Sequence, residues 1–129
     1  MMWSPLPAEV VDLLCGAERP DGTTTWEQAA RKVNEYRTLE DDYDGQGAKA
    51  PAPEVCDGML ELVRGLEGRG ASAPTCVTSG VNGSVNLEWD YPGGVSATVE
   101  VTDVDEAAVY LLAPHREPGY WVLNQTAAV

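Results

Sequence analysis

Near residue 75 the spacing of apolar side chains changes from a helical period to strict alternation, and few folds accommodate that switch. Before it, Trp26, Ala29, Ala30, Val33, Tyr36 and Leu39 recur every three or four residues, as do Val55, Cys56, Met59, Leu60, Val63 and Leu66. After it, Val85, Leu87, Trp89 and Tyr91 alternate with Asn86, Glu88 and Asp90, and Val95, Ala97, Val99 and Val101 with Ser96, Thr98, Glu100 and Thr102. A strand run with one apolar face needs a cover, and the amphipathic helices before it supply one. The expected fold is α+β: two or three N-terminal helices on one face of a three- to five-stranded antiparallel meander. Its 129 residues suit a single domain, helical over about 1–70 and sheet over about 75–123.

Local signals place the elements. Leu6, Val10, Leu13 and Leu14 precede Gly16 and mark a short helix over about Pro7 to Cys15. Thr24-Thr25-Trp26-Glu27 reads as a capping box, with Thr24 and Glu27 as the reciprocal pair. Pro53 suits the first turn of a third helix. Gly58 and Gly65 weaken that helix, and close packing against a neighbour is the expected reason for them. Gly68-Arg69-Gly70 ends it, and Ala71-Ser72-Ala73-Pro74 reads as a linker. Strands follow over Cys76–Ser79, Ser84–Tyr91, Val95–Thr102, Ala107–Leu112 and Tyr120–Leu123. Asn82-Gly83 favours a tight hairpin turn between the first two, and Gln125–Val129 reads as a frayed tail.

The charge balance excludes whole classes of function. There are 21 Asp and Glu against 8 Lys and Arg, a net charge of −13, and no Lys or Arg lies between Gly70 and His115. Direct nucleic-acid binding and docking on anionic membrane both require basic groups and are disfavoured. No apolar run approaches the roughly 20 residues that span a bilayer. Cys15, Cys56 and Cys76 are odd in number and widely spaced, with one histidine, His115, so neither a disulfide framework nor a zinc set is indicated. The thiols are expected as core residues and the protein as cytoplasmic.

Catalytic chemistry finds little support. There is no phosphate-binding loop and no GxSxG nucleophile turn. Glu88, Asp90 and Glu100 resemble a nuclease carboxylate cluster, but no Lys follows Lys49 to stabilise developing charge. A pairing of Cys56 or Cys76 with His115 has no local feature that would activate a thiolate. Glu40, Asp42, Asp44 and Gly45 match the opening of a calcium loop, yet the closing position is Pro51, which offers no side-chain oxygen. A turn in which Asp44 caps backbone and Tyr43 anchors the loop is the expected structure, with no metal and no cofactor.

Two segments carry a resemblance. Tyr43-Asp44-Gly45-Gln46-Gly47-Ala48, a Pro-started helix, and Gly83-Ser84-Val85-Asn86-Leu87-Glu88-Trp89 together resemble a broad set of small uncharacterised bacterial proteins. Those proteins share an aromatic-Asp-Gly-x-Gly-Ala loop and a Gly-x-x-x-Leu-Glu-Trp strand. The match spans about residues 36–112, with Tyr43 where Trp is more usual. It implies a stand-alone bacterial α+β domain and carries no known activity.

The function expected is therefore a non-enzymatic acidic interaction module, such as an antitoxin, immunity or adaptor subunit, that meets a basic surface on another protein. Its contact residues would be Glu88, Asp90 and Glu100 on the polar sheet face, Asp42, Tyr43 and Asp44 in the loop, and Trp121 as an exposed aromatic. The alternative is a small ligand-binding domain or enzyme with a pocket between helices and sheet, walled by Trp89, Tyr91, Tyr110 and Trp121.

Overall fold

The computed structural model describes residues 2–126. In chain order it has β1 (Met2–Trp3), α1 (Ala8–Leu14), α2 (Trp26–Tyr36), α3 (Pro53–Gly68), β2 (Cys76–Ser79), β3 (Val85–Tyr91), β4 (Val95–Asp103), β5 (Glu106–Leu112) and β6 (Gly119–Thr126). Strands β2 to β6 form an antiparallel meander, and β1 adds a short edge beside β6, giving the order β1-β6-β5-β4-β3-β2. The fold is α+β, with the helices preceding the meander. The two-residue β1 is an addition to the sequence expectation, because so short a strand leaves no periodicity to read.

One core joins the layers. Val10 and Leu14 of α1, Ala29, Val33 and Tyr36 of α2, and Val55, Cys56, Met59, Leu62, Val63 and Leu66 of α3 pack on Val85, Leu87, Trp89, Val99, Val101 and Val109 of the sheet. The alternation in β3 and β4 holds residue by residue: Val85, Leu87, Trp89 and Tyr91 are buried, and so are Ala97, Val99 and Val101.

Three local expectations are corrected. The capping box lies one residue later, with Thr25 Oγ1 accepting from the Gln28 N–H and Gln28 Oε1 accepting from the Thr25 N–H, both at 3.0 Å. Thr24 instead ties the helix entry to Pro74, whose carbonyl accepts both its N–H and its hydroxyl. The β2–β3 connection is a five-residue loop, Gly80 to Ser84, rather than a two-residue turn. Of the Asn-Gly pair only Gly83 takes a positive φ, 83°, while Asn82 bridges to Lys49. The tail is also shorter than expected, since Gln125 lies within β6 and donates its N–H to Asp105 O at 2.9 Å; residues 127–129 lie outside the described residues.

The segment read as a linker is a buried strap. Ala71, Ser72 and Pro74 are buried, the Trp26 indole donates to Ala71 O, and the Trp89 indole donates to Ser72 O, each at 2.8 Å. The Ser72 N–H donates to Leu14 O, so the strap joins α1, α2 and the sheet. Its small residues suit it to run between layers, where a bulky side chain would force them apart.

The two α3 glycines have different roles. A methyl group on Gly58 would stand 3.1 Å from the Trp3 ring, whose indole donates to Gly58 O at 2.8 Å, so Gly58 permits close approach of β1. A methyl group on Gly65 would meet nothing within 4 Å. Gly65→Ala is therefore expected to raise stability by about 0.5–1 kcal/mol through helix propensity, read as a higher urea midpoint with an unchanged slope. Gly58→Ala should do the opposite.

Candidate interaction face

The helices cover one side of the sheet and leave the other to solvent. On this outer side the register aligns side chains into rows. One runs Val122, Ala108, Glu100, Asn86, Thr78, and the next runs Tyr120, Tyr110, Thr98, Glu88, Cys76. A third begins at Leu112 and passes Ser96 to Asp90. The face is thus divided: β5 and β6 contribute Tyr110, Leu112, Tyr120 and Val122, all exposed, while β3 and β4 contribute Glu88, Asp90 and Glu100. No Lys or Arg lies in any of these strands.

Polar side chains hold two of the acids in place. Glu88 Oε2 accepts from Thr78 Oγ1 at 3.2 Å and from the Cys76 thiol at 3.3 Å; Glu100 Oε2 accepts from Ser84 Oγ at 3.0 Å. Burial, followed by the neighbouring Glu88, pushes the Cys76 thiol up to about 11, so it is a donor and not a thiolate nucleophile. Burial also raises the Tyr110 phenol, with Glu100 and Tyr120 adding to the effect. The Tyr110 and Tyr120 rings lie 5.2 Å apart at a tilt of 51°, an aromatic cross-strand pair. Glu88 and Glu100 each have their own donors, and no group of three His, Cys, Asp or Glu side chains among the described residues is arranged to hold a metal ion.

The loop acids form a separate group with a different role. Asp44 Oδ1 accepts from the Gln46 and Ala48 N–H groups at 2.8 and 3.1 Å, Asp42 Oδ1 from Gly47 N–H at 2.6 Å, and Asp41 Oδ1 from Ala50 N–H at 3.0 Å. These carboxylates shape the loop, and Asp42 itself takes a positive φ of 65°. The Tyr43 hydroxyl lies 2.8 Å from Ser79 Oγ, anchoring the loop to β2. Ser79 has the opposite parity from Cys76 and Thr78, so the loop joins the helix side of the sheet, away from the outer face.

Backbone donors, chiefly Gln46 and then Ala48, hold the Asp44 carboxyl below its ordinary value of 3.8. A carboxyl whose pKa is lower folded than unfolded contributes stability above the unfolded value and loses it as pH falls through the folded one. The Asp44 contribution is therefore expected to be intact at pH 5 and to be lost progressively as pH falls below ~3.8. The check is amide exchange at Gln46 and Ala48 along an acid titration, with Asp44→Asn exchanging faster at neutral pH and the difference vanishing once Asp44 is protonated.

Trp121 is placed differently from the sequence expectation. It opposes buried Val109, packs half-buried against the core, and lays its ring over Gly119. The exposed aromatic of β6 is its neighbour Tyr120. Nor is there a pocket walled by Trp89, Tyr91, Tyr110 and Trp121: Trp89 and Tyr91 are core residues, and Tyr110 is on the other face. Cavities of about 260 and 470 Å³ lie along α3, beside Trp3 and Leu6 and beside Arg37 and Asp57, and another of about 470 Å³ lies between α2 and β2, lined by Gln28, Lys32, Glu35 and Val77. His115 is in the β5–β6 loop, separated from Cys76 by β4 and β3, while burial raises the thiol of Cys56 in α3. Cys15 is exposed rather than in the core. No helix among the described residues is long and apolar enough to cross a membrane.

No family model matches this chain, and neither a curated protein nor a solved structure matches it.

Proposed function

We propose that the chain is a non-enzymatic interaction module that docks a basic surface of a partner protein on the outer face of its sheet, in the manner of an antitoxin, immunity or adaptor subunit acting in the cytoplasm. The observation that carries the reading is the divided face: exposed Tyr110, Leu112, Tyr120 and Val122 adjoin Glu88, Asp90 and Glu100, with no cationic side chain in the strands. Interfaces combine aromatic anchors that provide affinity with charges that steer approach and fix orientation. Glu88 and Glu100 are already hydrogen-bonded by Thr78, Cys76 and Ser84, so these two lose little side-chain freedom on binding. The loop acids Asp42 and Asp44 are engaged with backbone and contribute field rather than contacts.

The test is a complex captured from native host cells at low salt and mapped by cross-linking. The expected complex dissociates as salt rises, and a basic segment of the partner cross-links to β3–β6. Contacts confined to the helices, or a complex indifferent to salt, would refute this assignment.

A further inference from the structure

A β-strand directs the N–H and C=O of alternate residues to opposite sides. In β6 the odd-numbered residues serve β5, as the Gln125 N–H bond to Asp105 O shows. The even-numbered ones face the other way: Asn124 O accepts the Ser4 N–H at 2.8 Å, and Asn124 N–H donates to Ser4 Oγ at 3.1 Å. Beyond Ser4 the chain enters Pro5, which has no N–H, and the pairing ends. The N–H and C=O of Tyr120 and Val122 thus point off the sheet edge, with no protein partner among the described residues. Both residues are open, at 59% and 44% exposure.

Natural open edges are guarded by lysines, prolines or inward charges. Gly119-Tyr120-Trp121-Val122-Leu123 has none of these within it, in a chain with 29 charged residues. The opposite edge, β2, is covered by α2, whose Tyr36 hydroxyl donates to Val77 O at 3.1 Å, and by Tyr43 on Ser79.

We propose that β6 pairs antiparallel with β6 of a second copy, about a two-fold axis at Trp121. In that register Tyr120 stands opposite Val122 of the second copy and Val122 opposite its Tyr120. Every outward N–H and C=O of these residues then gains a partner, and on the outer face each pair is an aromatic against a β-branched side chain, a favoured combination. The lengths agree, because the free stretch is bounded by Ser4 beside Asn124 at one end and Pro118 at the other. Exposed Tyr110 and Leu112 extend the apolar band on both sides of the seam. A second copy is favoured over a foreign basic strand because the segment is uncharged and complements itself, whereas the acids that attract a basic partner lie on β3 and β4. Repulsion between two chains of −13 opposes pairing at low salt and is screened at high salt, the reverse of the salt dependence of the basic-partner complex. This pairing does not depend on the outer face having a partner.

The experiment is sedimentation velocity of the full chain over a concentration series at about 0.05 and 0.5 M NaCl, paired with amide exchange. The expected result is a monomer–dimer equilibrium that shifts toward dimer with salt, with slower exchange at Tyr120 and Val122 as dimer fills and none at Trp121 and Leu123. Val122→Lys, whose side chain stays on the solvent face, should weaken association by about tenfold or more with an unchanged circular dichroism spectrum. A chain that stays monomeric at millimolar concentration and high salt would overturn the proposal. So would a dimer whose formation leaves the Tyr120 and Val122 amides exchanging as before.

Discussion

Replacing Trp89 with alanine is expected to cost about 3–5 kcal/mol, a large part of the roughly 5–15 kcal/mol that holds a domain folded. Trp89 is fully buried at the centre of the inner sheet face. Its ring meets the edge of Trp26 at a centroid distance of 6.4 Å, and its N–H donates to Ser72 O at 2.8 Å. Alanine would leave a cavity between α2, the strap and β3, together with a buried carbonyl lacking its donor. Trp89→Phe separates these effects. It keeps most of the ring volume and removes only the donor, with an expected cost of about 1–3 kcal/mol for the orphaned Ser72 carbonyl. Trp26→Phe should cost less, because the Trp26 hydrogen bond to Ala71 is only partly buried. Chemical denaturation followed by circular dichroism reads all three. A Trp89→Phe midpoint equal to wild type would show that the indole does not hold the strap.

The strap marks where sequence reading ends. Ala71-Ser72-Ala73-Pro74 has the composition of an exposed linker, and only the indoles of Trp26 and Trp89, both far from it in sequence, reveal that it is buried. Where one face of an element is buried and the other solvated, the pattern was legible: β3, β4, α2 and α3 fall where periodicity puts them, and the outward direction of Glu88, Asp90 and Glu100 follows from alternation alone. In β6, Tyr120, Trp121, Val122 and Leu123 are all apolar, so no alternation fixes the phase and the wrong aromatic reads as exposed. Pairing with Val109 settles it. The same ambiguity in Ala107–Leu112 concealed the apolar half of the outer face. The capping box slipped by one residue because Thr23-Thr24-Thr25 offers equivalent hydroxyls, and Gln28 closes a box as well as Glu27 does.

The outer face makes a prediction in which binding and stability move apart. Glu88→Gln, Asp90→Asn and Glu100→Gln together are expected to weaken the complex with a basic partner by about 100-fold, taking roughly 1 kcal/mol for each partly exposed charge pair. Folding should be unchanged or slightly more stable. The amide oxygens still accept from Thr78, Cys76 and Ser84, and the net charge falls in magnitude from −13 to −10, which relieves repulsion on one sheet face. A matched variant separates recognition by this face from the pull of total charge. Glu18→Gln, Glu54→Gln and Glu67→Gln also reach −10, but through exposed carboxylates of the helical half that are not part of the outer sheet face. If the face recognises the partner, the matched variant binds within a few-fold of wild type and loses mainly association rate, which long-range charge governs, while the face variant also dissociates faster. Equal losses in the two variants would mean that the partner responds to the charge of the whole molecule and that Glu88, Asp90 and Glu100 hold no special position in it.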